Sequence, residues 1–260
     1  MLRELLGQVI AISKETGHFL KNERAFIKTS EIEMKSGKND LVSRVDKEAE
    51  RRFVDFLKDL LPEAGYIAEE GTGERAEEYN WIIDPLDGTT NYLFGIPCYC
   101  TSVALWQNGE ILLGVIYDPE RDECFSAAKG LGSFLNGEPI SVSKQDDLKL
   151  TLLATGFPYD NKGRQMDYLK ILAAVNANSR GIRRLGAAAV DMAYVACGRL
   201  DGFYEYGLNA WDVAAGAIII KEAGGKVSNF YGKDDYLFGN TLVCDNGLIH
   251  NDLVDLVKGW

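Results

Sequence analysis

Histidine is scarce in this sequence, which contains only His18 and His250 among 260 residues. Histidine most often supplies the general base or the zinc ligand of an enzyme near neutral pH, so a mechanism built on it has almost no material here. The five cysteines are an odd number, and no pair has the CxxC spacing of a zinc or dithiol redox site. We expect reduced, mostly buried thiols and a functional site made from other side chains.

Positive charge is also limited, with 28 Lys and Arg against 39 Asp and Glu and a net charge of -11. Nucleic-acid binding requires basic side chains that neutralise phosphates, so nucleic acid is not the expected partner. No apolar run is long enough for a signal peptide or a membrane span, and we expect a cytoplasmic protein without a membrane partner. Divalent cations held by carboxylates would still allow an acidic chain to bind an anionic substrate.

Hydrophobic periodicity predicts a mixed α/β chain with the layered arrangement of an α+β fold. Apolar residues at helical spacing predict helices over 2–20, 46–60, 166–178, 185–197 and 211–223. Apolar or alternating runs predict strands over 79–84, 99–106, 111–117, 123–127, 150–154 and 202–206, with a hairpin turn at Asn108-Gly109. Residues 29–40 suit a mobile connection or a strand pair. No linker separates the halves, so we expect one unit with lobes 1–145 and 146–260.

The chemistry of the chain is concentrated where the strand over 79–84 runs into Asp84-Pro85. Asp84 and Asp87 flank a turn that can aim both side chains and the Leu86 carbonyl at one point, which is the outline of a Mg²⁺ site. Gly88 then permits close backbone approach, and the amide groups that follow suit a phosphate. The same residues also suit an ordinary type I turn, so this segment alone leaves both interpretations open.

Other acidic residues have equally ordinary explanations when each is considered alone. Glu69 and Glu70 suit an exposed loop, and Asp46 with Ser43 has the spacing of a helix capping box. Asp212 begins an apolar helix, where its charge complements the helix dipole. No single carboxylate therefore establishes a site.

Taken together, three separated blocks resemble the inositol monophosphatase family across nearly the whole chain. The blocks are Glu69-Glu70, Trp81-Ile82-Ile83-Asp84-Pro85-Leu86-Asp87-Gly88-Thr89-Thr90-Asn91-Tyr92, and Trp211-Asp212-Val213-Ala214-Ala215-Gly216 with Glu222-Ala223-Gly224-Gly225 behind it. Arg183-Arg184-Leu185-Gly186-Ala187-Ala188-Ala189 has the same family character. The resemblance implies an α/β/α/β/α sandwich of the sugar-phosphatase type, usually a homodimer, that hydrolyses phosphomonoesters with Mg²⁺ and is commonly inhibited by Li⁺.

The resemblance also implies roles for individual residues. Two or three Mg²⁺ ions would be held by Glu69, Asp84, the Leu86 carbonyl, Asp87 and Asp212. Asp46 and Thr89 would position and activate the attacking water, with Glu69 counted among the catalytic residues. The amides of Gly88 and Thr89 would bind phosphate, while Asp87, Ala188, Glu205 and Asp212 would face the substrate hydroxyls. Lys35, Glu70 and Arg184 are further candidates near the site.

The implied substrate is myo-inositol monophosphate. Relatives in the wider superfamily act on fructose 1,6-bisphosphate, nucleotide 3′,5′-bisphosphates or histidinol phosphate, and dual activity toward fructose 1,6-bisphosphate stays an alternative. Thr90 stands where the nucleotidase branch typically has Lys, and Glu205 suits hydroxyls better than a second phosphate. A non-enzyme alternative is a regulatory partner of the transcription machinery, with which some bacterial relatives associate. Arg180, Arg183 and Arg184 form the corresponding basic cluster, which also suits a solvated helix face or a dimer contact.

Overall fold

A computed structural model describes residues 2–26, 32–34, 41–157 and 163–259. The α-helices in these residues are α1 Leu2–Arg24, α2 Arg44–Leu60, α3 Thr89–Leu93, α4 Gln165–Asn178, α5 Ala188–Ala196, α6 Ala210–Glu222 and α7 His250–Val257. The strands are β1 Ile32–Met34, β2 Leu41–Ser43, β3 Gly65–Ala68, β4 Tyr79–Asp87, β5 Cys100–Gln107, β6 Glu110–Asp118, β7 Glu123–Ala128, β8 Gly132–Leu135, β9 Glu138–Pro139, β10 Leu152–Thr155, β11 Gly181–Arg183, β12 Gly202–Tyr206, β13 Lys226–Ser228 and β14 Thr241–Asp245.

The strands form two large sheets and one small pair. The first sheet has the order β3-β4-β5-β6-β7-β8-β9, in which β3 and β4 are parallel and the other neighbours are antiparallel. The second has the order β11-β10-β12-β14-β13, with β10 parallel to both of its neighbours. Strands β1 and β2 pair antiparallel by themselves. Strand β1 lies within residues 29–40, for which a strand pair was one of two alternatives, whereas its partner β2 follows that range.

The two large sheets alternate with three helical layers. Helices α1 and α2 pack on one face of the first sheet through a core that includes Phe53 and Trp81. Helices α5 and α6 lie between the sheets, where Met192 and Ile219 join side chains from both. Helices α4 and α7 cover the outer face of the second sheet around Tyr168. The predicted α/β/α/β/α sandwich is therefore confirmed.

Local differences from the sequence prediction have clear causes. The helix expected over 185–197 begins only at Ala188, because Gly186 has a left-handed φ of 92° that no helix interior accepts. The strand expected to end at Asp84 continues to Asp87, with irregular pairing between the two aspartates. The arginine cluster lies around the edge strand β11, so its interpretation as a helix face was wrong.

Two other expectations can be compared with the structure directly. The hairpin at Asn108-Gly109 is confirmed, since both residues have the positive φ angles, 47° and 95°, of a two-residue hairpin turn. All five cysteines are unpaired thiols, four of them buried. Across the described ranges, no helix combines the length and the apolar character needed to cross a bilayer.

Candidate active site

The acidic residues meet at one edge of the first sheet because β3 and β4 run parallel there. Ala68 pairs with Ile83, so the ends of both strands reach the same level. Glu69 follows β3 directly, and its amide donates a 3.2 Å hydrogen bond to the Ile83 carbonyl. Asp84 and Asp87 lie at the end of β4. The parallel pairing thus places three carboxylates at one corner.

The bend between Asp84 and Asp87 is fixed by its own side chains. The Leu86 amide donates to Asp84 Oδ1 at 3.0 Å, which is the hydrogen bond of an Asx turn. The Thr89 hydroxyl then donates to the Leu86 carbonyl oxygen at 3.0 Å. That carbonyl has a second lone pair, so it retains capacity to accept another partner.

Gly88 joins this bend to α3, and the position requires glycine. Its φ of 88° is left-handed, and a Cβ would lie 2.9 Å from the Cys98 carbonyl oxygen and 3.1 Å from the Ala187 Cβ. Asn91 ties the same region together, since its side-chain amide donates to the carbonyls of Cys98 and Leu185, both at 2.8 Å. The bend is therefore packed directly against the segment that leads into α5.

Asp212 arrives from the second half of the chain, in the first turn of α6. Its Oδ2 accepts a 2.6 Å hydrogen bond from the Asn209 amide, which fixes the side chain at the helix start. Ser102 of β5 donates to the Trp211 carbonyl at 3.2 Å and anchors this helix end to the first sheet. This position agrees with the helix-dipole explanation of Asp212. It also makes Asp212 the fourth carboxylate at the corner.

Burial and mutual repulsion dominate the electrostatics of the corner. Burial raises the pKa of Asp84 well above its usual range, and the charges of Glu69, Asp87 and Asp212 raise it further. Burial likewise raises the pKa of Asp212, with added repulsion from Glu69 and Asp87. These carboxyls hold negative charge poorly in the absence of a cation.

The donor set suits Mg²⁺, which prefers oxygen ligands such as carboxylates and backbone carbonyls. The Glu69 carboxyl lies within hydrogen-bonding reach of Asp84, and this contact contributes to the raised pKa of Asp84. Within the described ranges, no three Asp, Glu, Cys or His side chains already close around one ion-sized point. Chemistry and proximity thus fit cation binding, and closure around an ion requires side-chain adjustment.

A cavity of about 300 Å³ opens beside this corner. Its lining includes the predicted residues Glu69, Asp87, Arg184, Ala188, Glu205 and Asp212. Burial raises the pKa of Asp87 to about 6, whereas hydrogen bonds from the amides of Ala189, at 2.6 Å, and Ala188 lower it. Asp87 therefore joins the acidic corner to the start of α5.

Glu205 forms the part of the cavity wall contributed by β12. A Cβ at position 156 would lie 2.0 Å from the Glu205 Oε2 atom, so only glycine leaves room for this carboxyl. Burial raises the pKa of Glu205 to about 8, with the Arg184 charge lowering it and the Asp87 charge raising it. The exposed Arg184 is thus the cationic side chain that faces this wall.

The other predicted residues take different positions. Asp46 is buried on α2 and does not line the cavity. Burial raises the pKa of Tyr92 of α3, and the Asp46 charge raises it further. Glu70 is half-buried, and its amide donates to the Glu50 carboxylate rather than lining the cavity. Lys35 lies outside the described residues, as does the Ser43 side chain of the expected capping box.

Two acidic residues at the site were missed in the sequence. Asp191 lies on the buried face of α5 and lines the cavity. Glu50 is fully buried on α2 and accepts hydrogen bonds from the amides of Glu70 and Thr72, at 2.7 and 2.9 Å. In the sequence, Asp191 is a lone acid in an apolar helix, whereas Glu50 stands among charged neighbours that do not distinguish it.

Comparison with known proteins decides the family. The Inositol monophosphatase family matches residues 1–258. The chain belongs to the inositol monophosphatase family. It is 39% identical over 249 residues to the fructose-1,6-bisphosphatase/inositol-1-monophosphatase of Thermotoga maritima, covering 96% of this chain and 94% of that protein. It is 42% identical over 234 residues to the Nus factor SuhB of Xylella fastidiosa, covering 90% and 85%.

The fold of this inositol monophosphatase family member agrees with that assignment. The solved structure of the extragenic suppressor protein suhB from Bartonella henselae superposes with a TM-score of 0.92 at 36% identity, covering 98% of both chains. The acidic corner and the cavity therefore lie in a chain whose whole length has the family architecture.

Proposed function

We propose that this protein is a Mg²⁺-dependent phosphomonoesterase that hydrolyses myo-inositol monophosphate. The observation that supports this most strongly is the convergence of Glu69, Asp84, Asp87 and Asp212, four carboxylates from both halves of the chain, beside a polar cavity. Their mutual repulsion favours bound cations, and the cavity size suits a small phosphorylated polyol.

In this proposal the four carboxylates and the Leu86 carbonyl hold two or three Mg²⁺ ions. Mg²⁺ held there would supply the charge that neutralises the phosphate dianion, lowers the pKa of a water ligand and stabilises the leaving oxygen. The Gly88 and Thr89 amides bind the phosphate. Thr89 and Asp46 would orient and activate the attacking water, with the Asp46 carboxylate as the group that takes up its proton, and Glu69 would be a further catalytic residue. Thr89 Oγ1 lies 3.0 Å from the Leu86 carbonyl oxygen, which keeps the hydroxyl beside the cation ligands.

The substrate side of the proposal depends on the cavity wall. Asp87, Ala188, Glu205 and Asp212 border the space that the substrate hydroxyls would occupy. Carboxylates accept hydrogen bonds from hydroxyls and repel a second phosphate, which favours a monophosphate of a polyol. Arg184 faces the same wall and is the feature that favours fructose 1,6-bisphosphate as a second substrate.

Phosphate release tests this function. We expect release from myo-inositol 1-phosphate with Mg²⁺, slower release from fructose 1,6-bisphosphate, and little from adenosine 3′,5′-bisphosphate, histidinol phosphate or glycerol 2-phosphate at matched concentration. A chelator should abolish each reaction. Phosphate release that persists in chelator, or a clear preference for the nucleotide, would contradict the proposal.

A second candidate function is regulatory binding to the transcription machinery. It is favoured by the relative named Nus factor SuhB, at 42% identity, and by three exposed arginines around β11, Arg180, Arg183 and Arg184. Capture of transcription components from bacterial lysate by both the wild-type protein and Asp84→Asn would support this function. Capture lost on replacing Arg180 and Arg183 by serine, with phosphate release retained, would assign the binding function to this surface.

The proposal also includes a cytoplasmic homodimer that is sensitive to Li⁺. Five unpaired thiols suit a reducing compartment. Light scattering would test the dimer, and phosphate release in the presence of LiCl would test inhibition.

A further inference from the structure

Asp191 is a buried carboxyl at the cavity to which the proposed reaction assigns no role. It lies in the first turn of α5, is 1% exposed and borders the cavity together with Glu205 and Arg184. Its Oδ1 atom has no hydrogen-bond partner among the described residues. The side chain thus combines deep burial with an acceptor that the protein leaves unused.

An unpaired buried carboxyl oxygen is exceptional within this fold. The other unpartnered buried side-chain atoms in the described ranges belong to hydroxyls and to the indole nitrogens of Trp81 and Trp106. A hydroxyl rotor readily finds a weak partner, whereas an unpaired carboxylate loses strong hydration on burial. A bound hydrogen-bond donor would satisfy this oxygen, and Asp191 borders the cavity in which the substrate would bind.

The surroundings of Asp191 restrict what that ligand can be. Burial raises the pKa of Asp191 well above its usual range, the charges of Glu205 and Asp87 raise it further, and Arg184 lowers it. A second anion near Asp191 would meet this concentration of negative charge. Neutral hydroxyls, by contrast, donate to carboxyl oxygens without adding charge.

We propose that Asp191 is a specificity-determining residue that acts with Glu205 to hydrogen-bond hydroxyls of a cyclic polyol phosphate, directly or through one water. Asp191 comes from α5 and Glu205 from β12, so they approach the substrate from separate elements and can engage different hydroxyls. A ring without hydroxyls leaves both carboxyls unpaired, which is how a polar site rejects an analogue. This inference rests on the proposed phosphatase function.

The test compares two substrates of equal ring size, myo-inositol 1-phosphate and cyclohexyl phosphate, which carries no hydroxyl. In Asp191→Asn and Asp191→Ala we expect the ratio of kcat/KM, inositol over cyclohexyl, to fall by about tenfold or more, chiefly through KM for the inositol substrate. The matched control is Asp118→Asn, a buried aspartate that accepts hydrogen bonds from the Glu120 and Arg121 amides away from the cavity. The control should leave the ratio unchanged.

A ratio that stays unchanged in both Asp191 variants, or that changes equally in Asp118→Asn, would overturn this assignment. Equal loss on both substrates would also overturn it, because that result indicates a structural role. Should Asp191→Ala fail to fold in thermal melting, the isosteric Asp191→Asn carries the test. Wild-type protein that releases phosphate from neither substrate would instead overturn the proposed function, and this inference with it.

Discussion

Two buried polar clusters in this protein differ in how their side chains are satisfied. The histidine cluster consists of Ser228, Asp245 and His250: His250 Nδ1 lies 2.7 Å from Asp245 Oδ2, and its Nε2 lies 3.0 Å from Ser228 Oγ. The acidic corner consists of Glu69, Asp84, Asp87 and Asp212, where burial and the charges of neighbouring carboxylates raise the pKa values of the three aspartates. One cluster is complete within the protein, whereas the other repels itself.

The difference separates a structural cluster from a functional one. The histidine cluster contains the residue types of a hydrolytic triad, yet its three side chains are at most 3% exposed, so no substrate reaches them. Its hydrogen bonds fix the start of α7 against β13 and β14. The acidic corner carries a repulsive cost that bound cations would relieve, and it opens on a cavity. Residue type alone would have favoured the wrong cluster.

The largest expected effect comes from substitutions in the acidic corner itself. Asp84→Asn and Asp212→Asn each remove a cation ligand, and we expect kcat/KM for myo-inositol 1-phosphate to fall on the order of 10³-fold. The metal-free variants should unfold at the same temperature as wild type or higher, because repulsion is relieved. Near-normal turnover in either variant would show that the corner is not the catalytic site.

In metal-free protein, the buried carboxyls around the cavity should make the free energy of unfolding depend on pH. Burial raises the pKa of Glu205 to about 8 from an ordinary value of 4.5, so the folded state binds this proton more tightly than the unfolded chain. The resulting stability is complete below pH 4.5 and is lost as the pH rises toward 8. The slope from this group should not exceed about 1.4 kcal/mol per pH unit.

Urea unfolding in chelator at several pH values between 4.5 and 8 measures that slope. Glu205→Gln, which does not titrate at this position, is the control, and its slope should be shallower than that of wild type by the Glu205 contribution, because Asp84, Asp87 and Asp212 titrate in both proteins. If the free energy of unfolding changes with pH equally in wild type and in Glu205→Gln, the assigned pKa shift of Glu205 is contradicted.

Disruption of the histidine cluster should have the opposite signature. His250→Leu leaves the Asp245 carboxylate and the Ser228 hydroxyl buried without their shared partner, which should lower the free energy of unfolding by about 1–3 kcal/mol. Turnover per folded molecule should remain within about twofold of wild type. Ser228→Ala is the milder control. A selective loss of turnover at unchanged stability would assign this cluster a catalytic role.

The smallest expected effect concerns the support beneath the corner. Glu50→Gln presents an amide group to the Glu70 and Thr72 amides in place of one acceptor, which loosens the turn that carries Glu69. We expect the apparent Mg²⁺ affinity to fall by about tenfold with little change in kcat at saturating Mg²⁺. Calorimetric titration of Mg²⁺ provides a readout independent of turnover.

Glu48→Gln on the same helix is the matched control, because the Glu48 carboxylate is bound by Arg51 at the surface. A fall in kcat with unchanged Mg²⁺ affinity in Glu50→Gln would contradict the support role.

The sequence revealed the parts of the site whose local pattern is strong. An apolar strand that runs into Asp84-Pro85 predicts carboxylates at a strand end, and the resemblance to the inositol monophosphatase family implied Glu69 and Asp212 as their partners. Convergence of these residues depends on parallel pairing of β3 with β4, and β3 itself is too short and polar at its edges to be predicted. Tertiary packing, rather than any local pattern, brings Asp212 to the corner.

Other elements were missed for similar physical reasons. In the helix predicted over 185–197, Asp191 is a lone acid in an apolar segment, and no neighbouring motif marks it as part of a site. Its proposed role depends on the cavity that it borders, and no local sequence pattern encodes that cavity. The arginines near β11 were interpreted as a helix face because three residues of strand carry too little periodicity to distinguish strand from helix.

Binding of myo-inositol 1-phosphate with and without Mg²⁺ tests the central claim most directly. Calorimetry on chelator-treated protein should show little or no binding, because the self-repelling carboxylates also repel the phosphate. Restoring Mg²⁺ should restore binding in wild type, and far less in Asp84→Asn. Tight binding of the substrate to metal-free wild-type protein would contradict the account of the acidic corner as a cation-dependent phosphate site.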